Sequence, residues 1–387
     1  MMASLKQDLT HLFEEKFGSK PEYFFQAPAC INLMGEPANY HQGFVLPCAI
    51  NYRTLLAASA RGDEKIVVTS ANFQGEMTDF ELTVPMAASV RATWCNYLKG
   101  VATNLIDRGF SLRGANIALS GDIPMAEGLG SSASLEVIAA LALTHMSGYD
   151  LDAKDLAVIG QEAETDYIGV KCSVMKQMVC ALGKKNHALL LDCRSQESQQ
   201  ISIPDELTLL AIDPNKKRAL INNEFNSRHH ECEKVVRHFK VRSIRDISLD
   251  DLEAEKTKLE ATAYRRARHI ISENDRTQQA AAGLASGNIK LMSQLMAQSH
   301  VSIQEDFGLN VPAINAIVDI VSQVVGEHGG VRMMGGSLGN NAVALIAKDR
   351  IGEVKTAITQ EYTKRTGLEA VIYEFQTSHS ASILANE

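Results

Sequence analysis

Pro124-Met125-Ala126-Glu127-Gly128-Leu129-Gly130-Ser131-Ser132-Ala133-Ser134 joins an extended apolar run to a helical one. Before it, Ala115-Asn116-Ile117-Ala118-Leu119-Ser120 reads as a strand; after it, residues 131–146 read as a strong helix. Gly128 and Gly130 lack a Cβ and accept positive φ, so the backbone between them can wrap a ligand. Ser131, Ser132 and Ala133 open the helix, where N–H groups have no intrahelical acceptor and the dipole attracts anions. The string is neither a Walker A loop nor a dinucleotide G-x-G-x-x-G. On physics alone such a joint is often only a good helix cap.

Outward from this joint, residues 5–17 carry helical spacing, with Leu5, Leu9, Leu12, Phe13 and Phe17 on one side. From Tyr23 to about Ser70 short β-type runs dominate, such as Lys65-Ile66-Val67-Val68-Thr69. Residues 94–106 and 153–167 read as helices. Near Ile201-Ser202-Ile203-Pro204 the pattern turns over into a second unit. There the spacing predicts helices over 222–239, 251–273 and 276–285, and strands around Val331 and over 342–347. The expected organisation is two α/β units, 1–203 and 204–387, packed closely with a binding cleft between them.

The length of 387 residues supports two domains, and the net charge of −8 argues against nucleic acid or an anionic membrane as the main partner. No apolar run approaches the ~20 residues that cross a bilayer, and the first 20 residues mix both charge signs. A cytoplasmic protein is expected. The seven cysteines, widely spaced and without C-x-x-C, read as reduced, mostly buried thiols. His229-His230-Glu231-Cys232 reads as a helix face, because adjacent helical residues point in different directions. Arg265-Arg266-Ala267-Arg268-His269 reads as a solvated face balanced by Glu260 and Glu273, and Lys216-Lys217-Arg218 as surface.

The full loop string resembles the P-x-x-x-G-L-[GS]-S-S-A-[AS] phosphate loop of the GHMP kinase superfamily. Galactokinase in particular is similar over roughly residues 10–375. The matching segments are residues 27–51, Gln161-Glu162-Ala163-Glu164, His187 to Ser195, Ser299-His300 with Glu305-Asp306-Phe307, and Gly329-Gly330-Val331-Arg332-Met333. The resemblance implies an N-terminal α/β domain and a C-terminal ferredoxin-like α/β domain, with ATP and sugar between them. It implies nucleotide contacts from Pro124, Gly128 to Ser134 and Trp94, the last near the adenine. It also implies Mg²⁺ held by Ser132 and Glu164, two hard oxygen ligands of the type that ion takes.

The departures from the family pattern cluster where substrate should bind. The opening A-P-G-R-V-N-L-[IM]-G-E-H-T-D-Y becomes Ala27-Pro28-Ala29-Cys30-Ile31-Asn32-Leu33-Met34-Gly35-Glu36-Pro37-Ala38-Asn39-Tyr40. Cys30 replaces a cation that would stabilise transferring charge. Pro37 replaces a histidine and Asn39 an aspartate, while Glu36 survives as a hydroxyl ligand. The base motif G-C-N-C-G-I-M-D-Q becomes Gly169-Val170-Lys171-Cys172-Ser173-Val174-Met175-Lys176-Gln177. Lys176 thus stands at the base position, and an ammonium has donors but no acceptor. Phe225 replaces a sugar-facing tyrosine. The third motif reads Gly335-Gly336-Ser337-Leu338-Gly339-Asn340-Asn341, where Gly336 and Ser337 are further substrate contacts and two family glycines have gained side chains.

Three readings stay open on the sequence. One is a catalytically impaired pseudokinase that binds nucleotide or another small ligand, with a protein partner if its role is regulatory. A second is an active kinase whose acceptor is already an anion, such as a sugar phosphate or acid, which needs no base and is attracted by Lys176. The third is a residual galactokinase that uses a substitute acid, with Glu36 the best placed and Asp166 also near.

Overall fold

The computed structural model describes residues 2–124, 128–216, 222–334 and 341–385. It opens with helix α1 (Met2–Phe17), followed by β1 (Tyr23–Asn32), β2 (Phe44–Val45), β3 (Pro47–Ala60), β4 (Lys65–Ser70), β5 (Glu76–Glu81) and β6 (Ala115–Gly121). The main sheet runs β13-β1-β3-β6-β4-β5, where β13 (Ser382–Leu384) returns from the far end of the chain to pair Phe24 with Leu384. Only the β4–β6 pairing in this sheet is parallel.

Alternation along the strands sends side chains to opposite faces. Leu55, Ala57 and Ala118 meet Leu9 and Phe13 of α1 on one face. On the other, Leu56, Ala58, Ile117 and Leu119 pack against α2 (Asn96–Asp107), α3 (Ser131–Met146) and α4 (Ala153–Glu162) through Leu98, Val101, Ile138 and Ile159. Helix α3 is apolar nearly all round, as its burial on several sides requires. The short helix α5 (Met175–Leu182) packs beside α3 and α4, and leads into β7 (His187–Asp192) and β8 (Ser198–Ser202), which form a small sheet with β2.

A second antiparallel sheet has the order β10-β11-β9-β12, with β9 at Leu207–Asp213, β10 at Gly329–Met334, β11 at Asn341–Ala347 and β12 at Val371–Phe375. Around it lie α6 (Asn222–Phe239), α7 (Leu249–Ala254), α8 (Ala261–Ala285), α9 (Ile289–Glu305), α10 (Pro312–Val325), α11 (Ile351–Ala357) and α12 (Thr363–Thr366). The mixed α/β class matches the expectation. The helix boundaries expected at 251–273 and 276–285 do not. No breaker stands between Glu273 and Arg276, and α8 runs straight through, burying Glu273, Asn274 and Thr277. The interruption falls at 255–260 instead, where Leu259 is extended (φ −101°, ψ 149°) and packs onto the core below. The acids named for the basic stretch also differ, since Arg266 pairs with Glu231 and Arg268 with Asp306.

All seven cysteines are free thiols; Cys172 and Cys193 are partly exposed and the other five are buried. Among the described residues no helix is long and apolar enough to cross a membrane.

Candidate functional site

Helix α3 starts directly after Gly130, which caps it at φ 78° in the left-handed region. Glycine is needed here twice over. A side chain would be strained at that φ, and a Cβ would come 2.7 Å from Cys30 Sγ and 3.8 Å from Lys176 Cδ. The Cys30 N–H donates to the Leu129 carbonyl at 2.9 Å, so β1 carries the loop from beneath. Gly128, at φ 106°, faces Met334 at the end of β10, 3.6 Å from where its Cβ would stand. Cys30 and Lys176, named from the sequence as the altered catalytic pair, therefore both lie against Gly130 at the start of α3.

Cys30 is buried in an apolar group with Ala49, Val179 and Leu189. The single S–H of Cys180 has two acceptors to choose from: the Pro28 carbonyl at 3.1 Å and the Cys30 sulfur. A bond from Cys180 and the charge of Lys176 hold the Cys30 thiol below its ordinary value, against burial. Lys176 is half-buried and faces Cys30, Tyr40, Glu164 and Glu36. Burial pushes its ammonium down, but its electrostatic interactions with these four neighbours outweigh burial and leave it above the usual lysine value. Lys176 is charged at neutral pH.

The first-turn N–H groups of Ser131, Ser132 and Ala133 precede the first intrahelical bond, which runs from Ser134 N–H to the Gly130 carbonyl at 2.9 Å. Ser134 itself turns inward, its hydroxyl donating to the Ala27 carbonyl at 2.8 Å and lying 2.9 Å from Thr54 Oγ1. Ser132 Oγ donates to Glu164 Oε1 at 3.1 Å. Glu164 sits on a π-turn (Ala163–Ile168) that continues α4, a wider turn of the kind often found at functional sites. A hydroxyl and a carboxylate thus stand side by side at a helix N-terminus. Hard oxygens in that setting fit a magnesium ion carrying phosphates.

Trp94 is buried in the turn just before α2, stacked on Phe73 (centroids 5.5 Å, 13° between planes), with its indole N–H donating to Glu76 at 2.9 Å. Asn39 donates to Ser173 Oγ at 2.8 Å, and its Oδ1 is buried without a partner among the described residues. Pro37 is buried beside it. Glu36 is turned to Arg332, with Nη2 3.1 Å from Oε2. The carbonyl of Glu36 also lies 3.1 Å from His269 Nε2, and Gly35 N–H donates to Glu273 at 3.1 Å. The opening motif is therefore gripped by α8 and β10. Gly336 and Ser337 lie outside the described residues, as does the side chain of Phe225.

Sequence reasoning did not single out Arg332, Tyr40, Ser173 or Gln177 as site residues. Arg332 stood within a quoted segment, and its complete burial is the signal that sequence lacks. Gln177 donates to Glu164 Oε2 at 2.9 Å from the position next to Lys176.

Comparison with known proteins places the chain beside sugar and mevalonate kinases in fold. The model "GHMP kinases N terminal domain" matches residues 96–184, and "Galactokinase galactose-binding signature" matches residues 11–60. The Lactococcus lactis galactokinase, solved in complex with galactose, is 28% identical and superposes with a TM-score of 0.90 over 98% of this chain and 100% of that one. The Methanococcus jannaschii mevalonate kinase is similar in fold alone, at 17% identity and a TM-score of 0.65, over 92% of this chain and 98% of that one. With these matches and the loop architecture together, the chain is similar to the galactokinases of the GHMP kinase superfamily.

Proposed function

We propose that this galactokinase-like protein is a catalytically impaired pseudokinase. In this reading it holds a nucleotide phosphate on the loop of Gly128 to Ala133, in the cleft between units 1–203 and 204–387, and binds a sugar or sugar derivative there. ATP with Mg²⁺ is the nucleotide the superfamily uses; Ser132 and Glu164 would hold the ion, which neutralises phosphate charge when bound. The single observation that carries the reading is the charged Lys176 ammonium beside Gly130. A hydroxyl acceptor needs a group there that takes or orients its proton, and an ammonium does neither. Loss of a general base costs typically ~10²–10⁴ in rate, and loss of one charge-stabilising group roughly 10²–10³. Glu36, engaged by Arg332, makes a poor replacement acid.

The test is calorimetry with Mg·ATP and with galactose separately, alongside an ATP-consumption assay with a panel of sugars. Binding of Mg·ATP with turnover at background is expected. Robust phosphorylation of any neutral sugar would refute impairment. A second reading, an active kinase for an anionic acceptor, draws on the same charged Lys176. Thermal stabilisation by sugar phosphates or sugar acids over galactose would favour it.

A further inference from the structure

One turn along α3 from Ser132 lies a carboxyl that none of the motifs above explains. Glu136 is wholly buried. Its Oε2 accepts from Gln177 Nε2 at 2.8 Å, and the same nitrogen donates to Glu164 Oε2 at 2.9 Å. Both amide hydrogens are committed, one to each acid. Glu164 Oε1 in turn accepts from Ser132. Three helical segments meet here because α4 presents Gly160 at the crossing; a Cβ there would stand 3.1 Å from Glu136 Cβ and 3.4 Å from Gln177 Cγ.

Burying an acid is costly, and an apolar residue would fill the space more cheaply. Burial first, then the charge of Glu164, raise the Glu136 carboxyl to about 9, against Gln177 and Lys176, which lower it. Glu136 is thus neutral at pH 7. Oε1 of Glu136 and Oε1 of Gln177 have no protein partner among the described residues. What the buried acid supplies is a fixed acceptor that sets the plane of the Gln177 amide.

We propose that Glu136 and Gln177 are positioning residues for a divalent cation held with a nucleotide at Ser132 and Glu164: Gln177, gripped by Glu136, fixes Glu164 Oε2 so that Oε1 stays beside the Ser132 hydroxyl. This rests on the nucleotide reading above. Without Glu136 the amide turns freely, Glu164 loses its anchor, and the two oxygens no longer converge.

The experiment measures ATP affinity by calorimetry, with Mg²⁺ and with EDTA, on the full chain and on Glu136→Leu, Gln177→Leu and Glu136→Gln. Outer partners of metal ligands are worth roughly 10–100-fold in affinity. Both leucine variants should lose about tenfold or more of the magnesium-dependent gain in ATP affinity, with EDTA values unchanged. Glu136→Gln keeps a neutral acceptor and should keep the gain. A full magnesium gain in both leucine variants, or its loss in Glu136→Gln, overturns the proposal. If Glu136→Leu does not fold, Gln177→Leu decides. No ATP binding by the unaltered chain overturns the nucleotide reading itself, and the proposal with it; ATP binding without a magnesium gain overturns the proposal alone.

Discussion

Arg332 and Glu36 form an ion pair shut off from water: Nη2 stands 3.1 Å from Oε2, with the side chains 0% and 8% exposed. The remaining guanidinium donors reach the Leu33 and Met333 carbonyls, both at 2.7 Å. One residue of β10 therefore fixes the backbone of the opening motif. Removing one partner of such a pair leaves the other charge buried, at a cost of about 3–5 kcal/mol. Arg332→Met should lose stability of that order in urea denaturation, and Glu36→Gln less, because its amide oxygen still accepts. Arg332→Met as stable as the unaltered chain would show that the pair contributes nothing.

The buried titratable groups predict an optimum in the pH dependence of stability. Burial depresses His41 to about 3, with His229 and His269 adding to the effect. Burial likewise depresses His269 and His300 to about 4 each. Their unfolded value is about 6.5, so the unfolded chain binds more protons between pH 4 and 6.5. Stability from these groups is present above 6.5 and is lost as pH falls, at up to about 1.4 kcal/mol per unit for each group. Glu136 has the opposite sign. Its folded value of about 9 exceeds the unfolded carboxyl value, so its contribution declines as pH rises through the interval up to 9. Denaturation at pH 5, 6.5 and 8.5 should give the highest stability near the middle value. Glu136→Gln should flatten the alkaline decline; an identical decline in that variant would remove Glu136 as its source.

Gly130 offers a test of how the loop rests on β1. Gly130→Ala meets two penalties, the left-handed φ of 78° and the 2.7 Å approach to Cys30 Sγ. The backbone part costs roughly 1–2 kcal/mol. Cys30→Ala should recover the steric part and leave the backbone part. A double-mutant cycle read by denaturation should therefore show favourable coupling between the two substitutions. Strict additivity would mean that the loop shifts away from Cys30 at no cost.

Much of this was legible in the sequence because local rules and tertiary demands agree there. The start of α3 was fixed by Gly130 and the following serines, and α1 by the spacing of Leu9 and Phe13, which the structure buries. Helices α9 and α10 were not assigned although each buries one face; β9 is buried on both faces and so loses its alternation, and β12 and β13 are short and largely uncovered. The break before α8 was missed because Leu259 is extended by packing rather than by a breaker residue. At the site, sequence named Cys30 and Lys176 but not their shared contact with Gly130. It offered Glu36 as an acid, and only the fold reveals that Arg332 engages it.

That shared contact makes the last prediction a matter of two positions rather than one. Cys30→Arg alone drives a guanidinium into the apolar company of Ala49, Val179 and Leu189, while Lys176 remains charged beside it. Lys176→Asp alone sets a carboxylate near Glu36 and Glu164 with no cation to offset it. Each single change should destabilise the protein and leave turnover at background. Together the new arginine and aspartate can pair, and the aspartate supplies the missing proton acceptor. The double variant should be more stable than either single one and gain at least ~10² in ATP-dependent galactose phosphorylation over the unaltered chain. A double variant that folds and binds Mg·ATP but phosphorylates no faster would place the block elsewhere. Pro37, Phe225 and the segment from Gly335 to Asn341 would then bar the sugar whatever stands at position 176.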